Sequence, residues 1–218
     1  MNITTTQLAN ELTGTDLIKN TNDDYIRYLH NKRDLYIGNK VAATYNDLND
    51  VDKIRYAWAK QFGRYEQQGY KLYHLTTTYK ETEGRSYAVA DVLKFFDNMY
   101  LRYFIKLLVG SHYNKPAKKA MQPFVLAFID EHECLDRAHC FADRFAARYH
   151  VHAMIAAHPA TCAKLNALLG ENTFDFSNRW CRNIMTSCLT EAEPMRVLYA
   201  SKMLAKHPDY QFYGVAMN

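Results

Sequence analysis

Residues 149–156 read YHVHAMIA, and the two histidines in this otherwise apolar run are the first candidates for chemistry. In an extended strand, residues i and i+2 project to one side. His150 and His152 therefore share a face while Val151 points away. Imidazoles at that spacing can present ring nitrogens to one metal ion or one phosphate; the plain alternative is a hydrogen-bonded pair at a sheet end. A second apolar run, PFVLAFIDEHE, stays apolar until it meets Asp130, Glu131 and Glu133. If these two strands form a hairpin, Glu131, or alternatively Glu133, comes beside the histidines. Two imidazoles and one carboxylate would hold a divalent cation with coordination positions left open, which catalysis by a metal requires.

Further along, Tyr199-Ala-Ser-Lys202 puts a phenol and an ammonium three residues apart, on one face of a helix. A tyrosine can act as a covalent nucleophile, and a lysine beside it can offset charge on phosphate oxygens. In a chain with 17 tyrosines this pair carries weight only together with the other groups. The nearest competitors, Tyr210 and Tyr213, follow His207-Pro208, where the helix is expected to have ended. The basic loop GSHYNKPAKKA brings Lys115, Lys118 and Lys119 near Tyr113, a composition suited to nucleic-acid backbone and base contact, or simply to a solvated loop. His132, Cys134, His139 and Cys140 are also crowded together, but their spacing fits no zinc pattern. They read as a polar loop with reduced cysteines.

The elements that must position these groups follow from pattern. KLYHLTTTYK (71–80) is dense in β-branched and aromatic residues and reads as a strand. Residues 86–109 carry the helical stripe Val89, Leu93, Phe96, Tyr100, Phe104 and Leu107, with Gly110 as the stop. After the carboxylate and histidine strands come a helix in HPATCAKLNALLG, a strand in WCRNIMTSCLT and a final helix in TEAEPMRVLYASKMLAKH. Thr190 and Glu193 resemble a capping box for that last helix. Ahead of all this, residues 1–65 carry helical signals, among them Ile54, Trp58, Phe62 and Tyr65 at helical spacing. The expectation is an α+β domain over 66–218, an antiparallel sheet with helices packed mainly on one face, preceded by a helical N-terminal extension over 1–65.

Composition sets outer bounds. The chain has 218 residues, five cysteines without framework spacing, and a formal charge of +4. No apolar run approaches the ~20 residues of a membrane span, and the polar N-terminus lacks signal-peptide regions. A cytoplasmic protein with no membrane partner is expected. The mildly basic balance, pI near 8.7, permits a polyanionic partner without requiring one.

Taken in order, these motifs resemble those of the HUH endonucleases, the rolling-circle replication initiators of phages, plasmids and small single-stranded DNA viruses. Tyr73, Leu75, Thr76 and Thr78 match the family's first strand motif. His150-Val151-His152 matches its histidine pair, and Tyr199 with Lys202 its helical Tyr-x-x-Lys. The similarity covers roughly residues 70–206 and looks closest to the single-tyrosine members. The segment between the carboxylates and the histidines is longer than a compact viral initiator leads one to expect, and no phosphate-binding GxxxxGK[ST] follows. The resemblance implies an HUH-like fold and a Mg²⁺ or Mn²⁺ ion on His150, His152 and Glu131 (alternatively Glu133). It also implies attack by Tyr199 on single-stranded DNA or an origin hairpin, assistance by Lys202, and a 5′-phosphotyrosine intermediate that conserves the bond energy without ATP. A bacterial host and its replication machinery are the implied setting. A transposase, a relaxase or a non-catalytic DNA-binding protein is the alternative.

Overall fold

A computed structural model describes residues 48–80, 87–131, 149–169 and 184–214. The first helix, α1 (Asp50–Gln67), starts where the Asn49 side chain accepts the Asp52 backbone N–H at 2.9 Å. It ends in a Schellman turn: Gly69 takes the left-handed conformation at φ 83°, and the Gly69 and Tyr70 N–H groups donate to the Glu66 and Tyr65 carbonyls. That turn leads directly into β1 (Lys71–Tyr79).

The stripe expected over 86–109 forms a helix run, but not one continuous α-helix. Helix α2 (Val89–Met99) passes through a π-helical stretch, Tyr100–Phe104, into α3 (Ile105–Val109). A π turn takes up an extra residue and shifts the helical phase. Beyond it Ile105 and Leu108 are buried, whereas Leu107, expected on the stripe, is 47 % exposed. Gly110 ends the run as anticipated, with φ 83°. A short helix α4 (Pro116–Lys119) precedes β2 (Phe124–Glu131). Then follow β3 (Tyr149–Ala157), α5 (Pro159–Asn166), β4 (Ile184–Glu191), α6 (Arg196–Ala200) and β5 (Tyr210–Tyr213).

All five strands pair antiparallel in one sheet, ordered β4-β1-β3-β2-β5. The α+β class and the antiparallel sheet are as expected. The placement of the helices is not: they cover both faces. Tyr73, Leu75, Val125, Ala127, Ile129, Val151, Ala153 and Ile155 face α2, the π stretch, α3 and α5 in one core. The alternate residues Leu72, Phe124, Leu126, Phe128, Met154 and Ala156 face α1 and α6 in a second. With strand side chains alternating, these inner strands are apolar on both faces, as a three-layer arrangement demands.

The N-terminal boundary needs the same correction. Helix α1 runs across position 65 and is part of the domain's second layer. Phe124 on β2 lies 5.9, 5.6 and 5.2 Å from the rings of Trp58, Phe62 and Tyr65, the face of α1 that reads as amphipathic in sequence. Residues 1–47 lie outside the described residues, as do the turn expected at 81–85 and the His132–Cys140 cluster.

The last helix is shorter than its pattern. Thr190 and Glu191 belong to β4, so the expected capping box does not form; Thr190 Oγ1 donates instead to the His74 carbonyl at 3.5 Å. Regular helix is confined to Arg196–Ala200 and gives way to turns through Lys206. The segment past Pro208 pairs with β2 as an edge strand, which its four residues do not announce. No helix among the described residues is long and apolar enough to cross a membrane.

Candidate active site

The second face of the sheet carries the polar groups. His150 and His152 point there together with Met154 and Ala156, and all four are buried. The β2–β3 register sets Asp130 opposite His150 and Phe128 opposite His152. Directly opposed residues of an antiparallel pair share a face. Asp130 is therefore the carboxylate delivered to the histidines, and it is fully buried.

Three donor atoms converge. Asp130 Oδ2 lies 3.1 Å from His150 Nε2 and 2.8 Å from His152 Nε2, and the two Nε2 atoms are 3.1 Å apart. This nearly equilateral triangle matches the edges of one octahedral face, since ligands ~2.1 Å from a small hard cation sit about 3 Å from one another. Asp130, His150 and His152 form a buried group able to hold a metal ion.

The residue expected in that role, Glu131, is elsewhere. It stands opposite Tyr149, one step along the strand and on the opposite side. Its carboxylate pairs with Lys206 and lies 3.5 Å from His207 Nε2. Glu133 lies outside the described residues. Pairing decides between them: Asp130 continues the Leu126–Phe128 face that meets the histidines, whereas Glu131 continues Ala127–Ile129.

The neighbouring strand supplies a second layer of contacts. Thr76 on β1 is registered against His152, and its Oγ1 lies 3.0 Å from His152 Nδ1. Without an ion, Nε2–H donates to the Asp130 carboxylate and Nδ1 accepts from that hydroxyl; with an ion bound, Nδ1–H donating to the hydroxyl would free Nε2 for the metal. His74, two residues back, stacks on His152 with centroids 5.0 Å apart and planes 28° from parallel. Both Thr76 and His74 lie within the strand motif, yet sequence gave them no chemistry.

Burial dominates the protonation states here. It pulls His74 down to about 3, helped by the nearby His152 and Arg196. It brings His152 down to about 4 against the opposing pull of its Asp130 hydrogen bond. For Asp130, burial pushes upward, but hydrogen bonds from His150, His152 and Lys202 prevail and hold the carboxyl well below the usual carboxylate range. A neutral His152 and His74 beside an ionised Asp130 is the protonation pattern that binds cations.

Helix α6 brings Tyr199 and Lys202 over this group. The half-buried Tyr199 ring lies 5.0 Å from the His152 ring and 5.7 Å, edge-on, from His74. Lys202 follows the helix end, where its N–H donates to the Tyr199 carbonyl at 3.2 Å. Its ammonium reaches Asp130 Oδ2 at 2.7 Å and stands 5.0 Å from the Tyr199 ring centre. The exposed Arg196 guanidinium lies over the same ring at 4.3 Å. The three motifs therefore meet: Tyr199, Lys202, His150 and His152 converge, with Asp130 in place of Glu131.

The basic loop does not join them. Lys115, Lys118 and Lys119 lie on and just before α4, which leads to the start of β2, while Asp130 lies six residues on at its far end. At ~3.4 Å per strand residue that is roughly 20 Å. Tyr113 is half-buried against the first core, on the face away from the histidines. No family model, curated protein or solved structure matches this chain.

Proposed function

We propose that this protein is a metal-dependent endonuclease that nicks and rejoins single-stranded DNA through a 5′-phosphotyrosine, initiating rolling-circle replication as the HUH enzymes it resembles do. One observation carries the reading. The ring of Tyr199, a potential nucleophile, packs 5.0 Å from the ring of a metal-competent histidine, with Lys202 bonded to the carboxylate of the same group.

A divalent ion, Mg²⁺ or Mn²⁺, held by Asp130, His150 and His152 would supply positive charge to polarise a scissile phosphate. The chain's own groups do the rest. Tyr199 oxygen forms a bond to phosphorus as the bond to the 3′ oxygen breaks, leaving a free 3′-hydroxyl and the 5′ phosphate on tyrosine. The phenolic proton is lost and the departing 3′ oxygen gains one. Lys202 helps keep Asp130 ionised and adds positive charge beside the tyrosine. Arg196, exposed and stacked on the Tyr199 ring, offers guanidinium donors suited to phosphate oxygens. Attack by a 3′-hydroxyl on the phosphotyrosine reverses the step, so strands can be rejoined without ATP.

On this reading the partners are single-stranded DNA or an origin hairpin and a host replication machinery, in the cytoplasm of a bacterial cell. The same chemistry would serve a transposase or relaxase, separated only by the DNA processed. The test incubates the protein with Mn²⁺ and a panel of hairpin-bearing single strands, scoring nicking and covalent attachment. Tyr199→Phe removes one hydroxyl and should abolish both while strand binding persists. Peptide mapping that finds the nucleotide on a tyrosine other than Tyr199 refutes the assignment; adduct formation with no oligonucleotide of the panel, in any divalent ion, refutes the nuclease.

A further inference from the structure

Arg55 lies on α1, far in sequence from the proposed chemistry, and is buried. Its Nε and Nη2 donate to the Ser201 carbonyl at 3.1 and 2.7 Å, and Nη2 also donates to the Lys202 carbonyl at 2.8 Å. Its remaining nitrogen, Nη1, donates to Asp52 Oδ1 at 3.0 Å. Asp52 is fixed in turn, its Oδ2 accepting from Asn49 Nδ2 at 2.8 Å. The guanidinium is thus oriented by one carboxylate and aimed at the backbone of one turn.

That turn is the one that matters. Ser201 stands two residues from Tyr199, and Lys202 is itself the residue whose ammonium meets Asp130. Helix α6 has only five residues, too few to hold a direction by its own hydrogen bonds. Val197, Ala200 and Leu204 seat it on the second core, and apolar contacts of that kind tolerate sliding. Arg55 adds three directional bonds at its C-terminal end. A buried guanidinium is costly to desolvate, and an aliphatic side chain would pack α1 against α6 without that cost. What the arginine adds is direction.

We infer that Arg55 is a positioning residue for Tyr199 and Lys202, fixing α6 over the Asp130–His150–His152 group. The segment before β1 is thereby a working part of the active site. The inference rests on the nuclease reading for its catalytic consequence, and on the hydrogen bonds alone for the hold on α6.

The experiment compares full-length wild type with Arg55→Met, Arg55→Lys and Phe62→Leu. The last trims the same helix in the same core, lowers the thermal midpoint and leaves the guanidinium intact. At saturating single-stranded DNA and Mn²⁺, well below every midpoint, Arg55→Met should slow adduct formation on the order of 10²-fold, the scale of an ångström-sized misplacement. Strand affinity should stay within about threefold, a turnover loss without a binding loss. Amide exchange over 196–206 should quicken in Arg55→Met and change little in Phe62→Leu. Arg55→Lys, which keeps the charge but loses the fork, should recover part of the rate. Equal rates for Arg55→Met and Phe62→Leu, or unchanged exchange over 196–206, would overturn the inference. If Arg55→Met does not fold, Arg55→Lys against Phe62→Leu decides the same question. If wild type forms no adduct, the nuclease reading fails, and the exchange data alone decide whether Arg55 holds α6.

Discussion

Acid should unfold this protein over a window set by two buried, adjacent histidines. His74 and His152 are buried side by side, their values drawn from 6.5 to about 3 and about 4. The unfolded chain, with ordinary histidines, binds protons that the folded chain refuses. Stability is therefore at its full value above pH 6.5 and falls as the pH drops, until each folded histidine titrates. Each histidine contributes a slope of ~1.4 kcal/mol per pH unit, so the pair gives about 3 kcal/mol per pH unit where their windows overlap. From pH 6 to 4.5 the loss is roughly 4 kcal/mol, a large share of the 5–15 kcal/mol typical of a domain. Asp130 adds little to this loss within the window, because its depressed carboxyl gives up its own proton-linked contribution only as the pH falls through and below the normal carboxylate range. The assay is urea unfolding in EDTA at half-unit steps from pH 7 to 4.5. His74→Phe keeps a ring against His152 and should halve the slope. A flat profile in wild type, or an unchanged slope in His74→Phe, refutes the reasoning.

Other outcomes follow from the same geometry. Asp130→Ala should lose Mn²⁺ binding by calorimetry while Glu131→Ala keeps it; the reverse result would restore Glu131 as the ligand. Thr76→Val removes the oxygen facing His152 Nδ1 and should weaken Mn²⁺ about 10- to 100-fold, the usual effect of losing a ligand's outer partner. Neutralising Lys115, Lys118 and Lys119 together should reduce the slope of log affinity for single-stranded DNA against log salt by about 2 if all three meet phosphates. Because the loop lies far from Asp130, adduct formation at saturating DNA should not change; an unchanged salt slope shows that strands bind elsewhere.

Where local pattern determines structure, sequence was enough. The β-branched run Leu72–Tyr79 and the alternation around His150 and His152 specify strands whatever they pair with, and Gly110 ends a helix by its own backbone freedom. The rest depended on partners. Choosing Asp130 over Glu131 requires the parity of β2 against β3, which sequence does not print and pairing fixes. The amphipathic face of α1 was visible, but not that it packs on Phe124, so the helix read as an extension when it is a layer. Thr190, with Glu193, resembles a helix start only until β1 recruits Thr190 into β4. Leu107 leaves its stripe because one π turn changes the phase, a tertiary adjustment invisible to periodicity.

The hydrogen bond between Arg55 and Ser201 spans 146 positions of chain. At a synthesis rate of ~5–20 residues per second, roughly 7 to 30 seconds pass between the emergence of one partner and of the other. During that interval the histidine strand can pair with β1 and β2, yet the phenol has not been made. A nascent chain can thus assemble the Asp130–His150–His152 group before it owns the proposed nucleophile. On the nuclease reading, strand cleavage is withheld until Tyr199 and Lys202 have been made, so a polypeptide that stalls before them cannot form the adduct.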